Sequence, residues 1–170
     1  GYFQSEGYFR QYREELLKQI QPKYEPEDEY LKALGGISNC NSVAVHVRRS
    51  DFKKDNCEFH YLLDEKYYQK AIKKIRLEVE NPVFFWFSDD MDWVKKHIGA
   101  DEDFRFVCMR TIHGDIDDMM LMRNCKHIIT ANSTFSWWAA WLNENKDAIR
   151  IVPSKPYGME KMIPSKWIKV

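Results

Sequence analysis

Five short apolar runs alternate along the chain with longer amphipathic segments. The runs are continuous, which is typical of strands buried on both faces of a parallel sheet, and the segments between them repeat apolar residues at helical spacing. The predicted strands lie at 43–49, 83–87, 104–108, 126–131 and 149–152, and the predicted helices at 6–20, 27–34, 64–79, 93–98, 115–124 and beyond 132. This order predicts an α/β fold, a Rossmann-like, mostly parallel sheet of about five strands with helices on both faces.

Local signals mark several boundaries. Ser5 is the expected cap of the first helix, and Gly35-Gly36 is the expected end of the second. The tail from Ser154 to Val170 is interrupted by prolines, and no element is predicted in it.

Polar residues follow two of the predicted strands. The first strand ends in Arg48-Arg49-Ser50-Asp51, and the fourth runs into Asn132-Ser133-Thr134 at the start of a helix. Paired guanidinium groups and helix-start N–H groups both bind anions, and ligands of open α/β sheets bind beyond the carboxyl ends of the strands. Together the two segments predict a diphosphate site. A structural salt bridge at a sheet edge is the alternative explanation of the arginines.

Adjacent strand residues point to opposite faces, so the two arginines are expected to differ. We expect Arg48, which shares a face with His46, to contact the phosphate directly. Arg49 is expected to pair with both the ligand and Asp51. His46 by itself is more typical of a hydrogen-bonded core histidine than of a catalytic base.

Two acidic segments allow more than one interpretation. Asp89 and Asp90 follow the second strand, where they fit a ribose or sugar contact and a helix cap equally well. Asp90-Met91-Asp92 and Asp115-Ile116-Asp117 have the D-x-D spacing of metal-dependent sugar transferases. Both lie at predicted helix starts, where a spacing of two directs the carboxylates apart, so a metal site is the weaker interpretation.

Composition narrows the class of partner. The chain has 26 basic and 26 acidic residues and no basic block, which argues against nucleic acid or an anionic membrane surface as the main partner. No apolar run is long enough to cross a bilayer, so only peripheral membrane association is expected. The four widely spaced cysteines are interpreted as ordinary thiols of a reducing compartment, with disulfide bonds as the alternative.

The segment His46-Val47-Arg48-Arg49-Ser50-Asp51-Phe52 resembles the H-x-R-R-x-D motif of the α-1,2-fucosyltransferases, glycosyltransferase family 11, with wider relatives among the α-1,6- and protein O-fucosyltransferases. Three further segments are similar to that family in the same order: 1–6, 87–90 and 118–142. Ser50 departs from the pattern, because glycine is common there, and the charges of loop 53–58 do not match it.

The resemblance implies a donor domain like the C-terminal half of a GT-B glycosyltransferase. It implies GDP-fucose as the donor, a hydroxyl of a galactose-containing glycan as the acceptor, inversion at the anomeric carbon, and no required metal or other cofactor. Without a metal, arginines and helix-start amides must stabilise the departing diphosphate.

The family motif also implies roles for individual residues. It assigns the diphosphate to Arg48, Arg49, Ser133 and Thr134. It assigns the guanosine part to Asp118 and His46. Asn132 and Phe135, beside Ser133, complete the predicted donor-binding set. Asp51 is the candidate base for the acceptor hydroxyl and joins the two arginines in the predicted catalytic set.

The same resemblance implies a division of the chain. Residues 1–36 are expected to be entering helices that hinge toward a preceding N-terminal domain, and 37–170 to be the nucleotide-sugar-binding domain. We expect a bacterial cytoplasmic protein, at most at the inner face of the membrane. The chain is expected to bind GDP or GDP-fucose weakly and to turn over poorly or not at all. The alternatives are a stand-alone nucleotide-sugar-binding module without transferase activity and a metal-dependent sugar transferase.

Overall fold

The computed structural model describes residues 5–50, 61–154 and 162–170. Within these ranges the chain forms six strands and six α-helices. The strands are β1 Asn41–Val47, β2 Pro82–Ser88, β3 Phe104–Phe106, β4 His127–Ile129, β5 Arg150–Val152 and β6 Ile168–Lys169. The helices are α1 Arg13–Gln19, α2 Asp28–Ser38, α3 Glu65–Glu78, α4 Met91–His97, α5 Gly114–Asn124 and α6 Thr134–Leu142.

The strands form one parallel sheet in the order β3-β2-β1-β4-β5-β6. Strand β2 pairs with one edge of β1 and β3 with the far edge of β2, and β4 then pairs with the other edge of β1. The strand order therefore reverses between β1 and β4. In open α/β sheets the crevice beyond the carboxyl ends of two such strands is the usual position of a ligand.

Helices cover both faces of the sheet, which confirms the predicted α/β class. The side chains of Val43, Val45 and Val47 on β1 pack in a cluster with residues of α3 and α4. Ala44, which points to the opposite face, belongs to a second cluster with residues of α1, α2, α5 and α6. Because both faces are buried, the strands read as continuous apolar runs.

The sheet has one more strand than predicted. In β6, Ile168 and Lys169 pair with Ile151 and Val152 of β5. A two-residue strand has no periodicity of its own, so the prediction missed it. Tertiary packing holds the tail instead, because the buried Trp167 lies against Trp137 of α6 with 5.6 Å between ring centroids.

The first predicted helix is shorter than expected. Ser5 does cap the start, since its hydroxyl oxygen accepts a hydrogen bond from the Gly7 N–H at 3.3 Å, but two 3-10 turns, Glu6–Tyr8 and Arg10–Tyr12, precede α1. Between them Phe9 leaves the helical conformation, with φ −139°. Its ring packs on the aromatic side chains of α6, including Trp138 at 5.0 Å between centroids.

The second predicted helix is longer than expected. Gly35 and Gly36 do not end α2, which continues to Ser38. Glycine inside a helix costs about 1 kcal/mol relative to alanine, and the extra turn offsets this by burying Ile37 completely in the core. The predicted division at 36/37 falls inside this helix, and the assignment of two domains stays a prediction. No helix in the described ranges has the length and apolar character needed to span a membrane.

Candidate functional site

The two polar segments found in the sequence lie next to each other at the point where the strand order reverses. Val45 of β1 and Ile129 of β4 are Cα partners in the parallel ladder. Arg48 and Asn132 each follow three residues later in their strands. Neighbouring strands are about 4.8 Å apart, so the arginine pair and the start of α6 flank one crevice.

Asp89, at the end of β2, organises the end of β1. Its Oδ1 accepts a hydrogen bond from the Arg49 N–H at 2.9 Å, and its Oδ2 accepts one from the Ser50 N–H at 3.0 Å. The Ser50 hydroxyl donates to the Asp89 carbonyl oxygen at 2.8 Å, and Arg48 Nε lies 3.4 Å from Asp89 Oδ2. The carboxylate thereby fixes the backbone from which both arginines project.

Arg49 is buried on the face covered by α3 and α4. Its guanidinium carbon lies 3.9 Å from the centroid of the Trp93 ring, and its Nε is 3.4 Å from Asp90 Oδ2. Asp90 also caps α4, because its side chain accepts a hydrogen bond from the Trp93 N–H at 3.3 Å. The described carboxylate partner of Arg49 is therefore Asp90, whereas the predicted partner Asp51 lies outside the described residues.

Arg48 is the more exposed of the two arginines. Its side chain is 36% exposed, compared with 11% for that of Arg49. The more accessible guanidinium is thus the one predicted to share a face with His46. That Arg48 contacts phosphate directly stays a prediction.

Two tyrosines of α3 hold the strand ends that flank the crevice. The Tyr67 hydroxyl donates to the carbonyl oxygen of Thr130 at 2.6 Å, and the Tyr68 hydroxyl donates to that of His46 at 3.3 Å. In the predicted helix 64–79 the spacing of these tyrosines marks them only as residues of one apolar face. The available signal was chemical, because a buried tyrosine hydroxyl almost always has a hydrogen-bond partner.

His46 is a neutral, buried side chain at this edge of the sheet. Burial, together with the nearby Arg48 guanidinium, lowers the pKa of His46 to about 3. Its Nδ1 is buried, with no hydrogen-bond partner among the described residues, and its ring lies 5.5 Å from that of Phe135. His46 can donate or accept a hydrogen bond, but such a low pKa makes it a poor general base near neutral pH.

The start of α6 is rich in small polar groups. Ser133 is the N-cap residue, and its side chain makes no capping hydrogen bond. Ser136, in the first turn, uses its hydroxyl inside the protein, accepting from the Ala131 N–H at 3.2 Å and donating to the Ser133 carbonyl at 3.3 Å. Asn132 donates to the Tyr61 carbonyl at 2.7 Å, while its buried Oδ1 has no hydrogen-bond partner in the described ranges.

Asp118 lies in the first half of α5, which faces the same edge because the helix runs antiparallel to the strands. Burial, reinforced by the charges of Asp115 and Asp117, raises the pKa of Asp118 to about 7. Its Oδ1 is buried, and no described residue hydrogen-bonds to it. An unpartnered carboxyl oxygen of this kind fits a ligand that donates N–H groups.

The D-x-D carboxylates do not converge. In the α5 segment Asp115 is exposed, whereas Asp117 is buried and hydrogen-bonded to Tyr24. In the α4 segment Asp90 pairs with Arg49, whereas Asp92 is exposed. Over the ranges that the structure describes, no group of three or more His, Cys, Asp or Glu residues is arranged to hold a metal ion.

Comparison with known proteins identifies the family. The model of glycosyl transferase family 11 matches residues 1–168. The chain belongs to glycosyl transferase family 11. The family that the sequence resembles is thus confirmed.

Curated relatives of this family 11 chain carry related names. It is 35% identical to an alpha-1,2-colitosyltransferase of Escherichia coli, over 100% of the chain and 61% of the relative. It is 34% identical to the O-antigen biosynthesis glycosyltransferase WbnK of Escherichia coli, over 78% of the chain and 45% of the relative. It is 31% identical to the galactoside 2-alpha-L-fucosyltransferase Sec1 of Mus musculus, over 84% of the chain and 41% of the relative.

The chain spans about two fifths to three fifths of the length of these relatives. Among solved structures, that of the NodZ alpha-1,6-fucosyltransferase soaked with GDP-fucose aligns with a TM-score of 0.46 and 15% identity. The alignment covers 81% of this chain and 59% of that one.

Proposed function

We propose that this chain is the donor-binding part of an inverting fucosyltransferase that moves L-fucose from GDP-fucose to a hydroxyl of a galactose-containing glycan. One observation carries the proposal: the arginine pair after β1 and the start of α6 flank a single crevice where the strand order reverses. A diphosphate is the ligand that matches cations on one side and helix-start N–H groups on the other.

Each side of the crevice has its own task in this proposal. Arg48 contacts the diphosphate directly, while Arg49, held between Trp93 and Asp90, supports it from the other face. Ser133 and Thr134 bind the phosphates through the N–H groups and hydroxyls at the start of α6. Preorganised donors of this kind stabilise charge that develops on a leaving group, and removing one typically costs about a hundredfold in rate or more.

The guanosine part is assigned to the face of the sheet that carries α5 and α6. There Asp118 accepts hydrogen bonds from the N–H groups of guanine, and His46 and Phe135 line the nucleotide site with Asn132. The buried, unpartnered atoms Asp118 Oδ1, His46 Nδ1 and Asn132 Oδ1 support this assignment, because unsatisfied buried polar atoms are rare without a ligand or water.

In the proposed transfer step, one bond to the anomeric carbon forms as another breaks. The acceptor hydroxyl oxygen attacks the anomeric carbon as the bond from that carbon to the β-phosphate oxygen breaks, and GDP leaves with the bonding electrons. The proton of the acceptor hydroxyl passes to a base, for which Asp51, outside the described residues, is our candidate. The sugar or ribose contact of Asp89 and Asp90 stays a prediction, since both carboxylates already contact arginines.

A second donor is supported by the relatives. The alpha-1,2-colitosyltransferase matches the whole chain, so GDP-colitose is an alternative to GDP-fucose at the same site. The setting that we propose for either reaction is the bacterial cytoplasm, with peripheral contact to the membrane at most.

Calorimetric titration tests the proposal. The chain is titrated with GDP, GDP-fucose, GDP-colitose and UDP, each with and without EDTA. We expect GDP and one GDP-sugar to bind, UDP to bind more weakly, and EDTA to change nothing. A longer protein that contains this chain and matches the full length of the relatives, assayed with β-galactosides, should then transfer the sugar.

The outcomes separate the alternatives. Absence of GDP binding contradicts the proposal. GDP binding that EDTA abolishes supports a metal-dependent transferase instead. GDP binding by the chain without any transfer by the longer protein supports a binding module without transferase activity.

A further inference from the structure

Asp117 is a buried carboxylate that the proposed donor site does not use. It lies in the first half of α5 and is 2% exposed. The Tyr24 hydroxyl donates to its Oδ1 at 2.6 Å, and the Thr111 hydroxyl donates to its Oδ2. Tyr24 stands 93 residues earlier, in the segment that joins α1 to α2, so this contact joins two segments far apart in the sequence.

Two further contacts attach the same segment to the start of α5. The Tyr24 ring stacks on that of His113, the N-cap residue of α5, with 3.9 Å between centroids and 24° between planes. Glu27 Oε1 accepts a hydrogen bond from the Ile112 N–H at 3.0 Å. The segment that holds Tyr24 and Glu27 thus contacts the entry to α5 at 112, 113 and 117.

A buried carboxylate is costly unless hydrogen bonds compensate it, and a solvent-exposed cap would serve α5 at lower cost. The hydrogen bonds to the buried Asp117 carboxylate also fix the rotation of the first turns of α5 about the helix axis. The next residue is Asp118, whose buried Oδ1 has no hydrogen-bond partner among the described residues. Successive helical side chains are about 100° apart, so anchoring Asp117 also sets the direction of Asp118.

We propose that Asp117, held by Tyr24 and Thr111, is a positioning residue that aims Asp118 at the nucleotide base, so that the segment between α1 and α2 contributes to base selectivity. The inference rests on the proposed function, in which Asp118 contacts guanine. It assigns no contact with the ligand to Tyr24 or Asp117. Their effect is transmitted through the orientation of one carboxylate.

The test compares a ligand that has a base with one that has only phosphates. Tyr24→Phe removes one hydroxyl and keeps the ring that stacks on His113. By calorimetry we expect it to weaken GDP binding about tenfold, and to leave pyrophosphate binding unchanged, because pyrophosphate has no base. The preference for GDP over inosine diphosphate, which lacks the 2-amino group of guanine, should shrink. Thr111→Val should act in the same direction.

Tyr12→Phe is the matched control, because the Tyr12 side chain is exposed and should change no affinity. Thermal unfolding of each variant establishes that it is folded at the titration temperature. If Tyr24→Phe weakened GDP and pyrophosphate equally, or changed neither, the inference would be overturned while the proposed function stood. A parent chain that bound neither GDP nor pyrophosphate would overturn both.

Discussion

The end of β1 and the start of α6 flank the same crevice but are built differently. The β1 side carries two guanidinium groups, each with a carboxylate of its own, Asp89 for Arg48 and Asp90 for Arg49. The α6 side carries no charged residue from Asn132 through Leu142, and presents small polar groups and a helix start. We infer that the β1 side supplies positive charge, and that the partner carboxylates position it. The α6 side supplies the dipoles of helix-start N–H groups, whose positions are fixed by the helix itself.

The two arginines provide a second, sharper comparison. Arg49 is enclosed by Trp93 and Asp90 and is mostly shielded from solvent, whereas about a third of the Arg48 side chain is exposed. We therefore expect Arg49 to contribute mainly to the stability of the fold and Arg48 to contribute mainly to ligand binding.

Arg49→Ala should have the largest effect on stability. It leaves the Asp90 carboxylate without this guanidinium and opens a space against Trp93. Removing one partner of a buried ion pair costs about 3 kcal/mol of unfolding free energy, whereas Arg48→Ala should cost less than about 1 kcal/mol. Urea denaturation of both variants measures the difference. Equal losses would contradict the division.

Arg48→Ala should have the largest effect on binding by a folded protein. Loss of a direct guanidinium–phosphate contact is expected to weaken GDP about a hundredfold, equivalent to about 2.7 kcal/mol. Arg10→Ala is the control, because the Arg10 side chain is 74% exposed and far along the chain from the site. If Arg48→Lys preserved GDP binding while Arg49→Lys abolished it, the order of the two arginines would be reversed.

GDP binding should depend on pH through Asp118. The pKa of this carboxyl is about 7 in the free protein, so below pH 7 it holds a proton and accepts N–H groups of guanine poorly. GDP affinity should fall by up to about tenfold for each pH unit below 7 and level off above it. His46, with a pKa of about 3, stays neutral over this range.

Asp118→Asn is the reference for that experiment. GDP ionises in the same way with either protein, so the variant lacks only the part of the pH dependence of GDP affinity that is due to the carboxyl.

The pH dependence of stability through Asp118 has the opposite sign. Because the pKa of this carboxyl is about 7 in the folded chain and its ordinary value, expected in the unfolded chain, is 3.8, the folded chain binds more protons between these limits. Its free energy of unfolding should therefore decrease as pH rises from about 4 to 7, and the slope should be smaller in Asp118→Asn.

Ser133→Ala should have the smallest effect. The Ser133 side chain makes no capping hydrogen bond, so thermal unfolding should shift little, while GDP binding should weaken about threefold through loss of one neutral hydrogen bond. Ser136→Ala provides the contrast, because its hydroxyl bonds to the backbone of 131 and 133 and its loss should lower the melting temperature. A larger binding loss for Ser136→Ala than for Ser133→Ala would contradict this assignment.

The prediction from sequence was most complete where the signal is local. The run at 43–49 predicted β1, because a continuous apolar run is typical of a strand buried on both faces. The predicted end of α2 at Gly35-Gly36 was wrong, because burial of Ile37 outweighs the low helix propensity of glycine. Asp90 was left open between a ligand contact and a helix cap, and only the fold reveals that it caps α4.

The α/β class, the family motif and the polar residues that follow β1 and β4 can be predicted from local patterns, because each depends on neighbours within a few positions. The partners of those residues are set by tertiary packing. Asp89 holds the backbone of Arg49 across 40 residues, and Tyr24 reaches Asp117 across 93. Such contacts leave no periodic trace in the chain, because they arise only when the sheet brings distant segments to one edge.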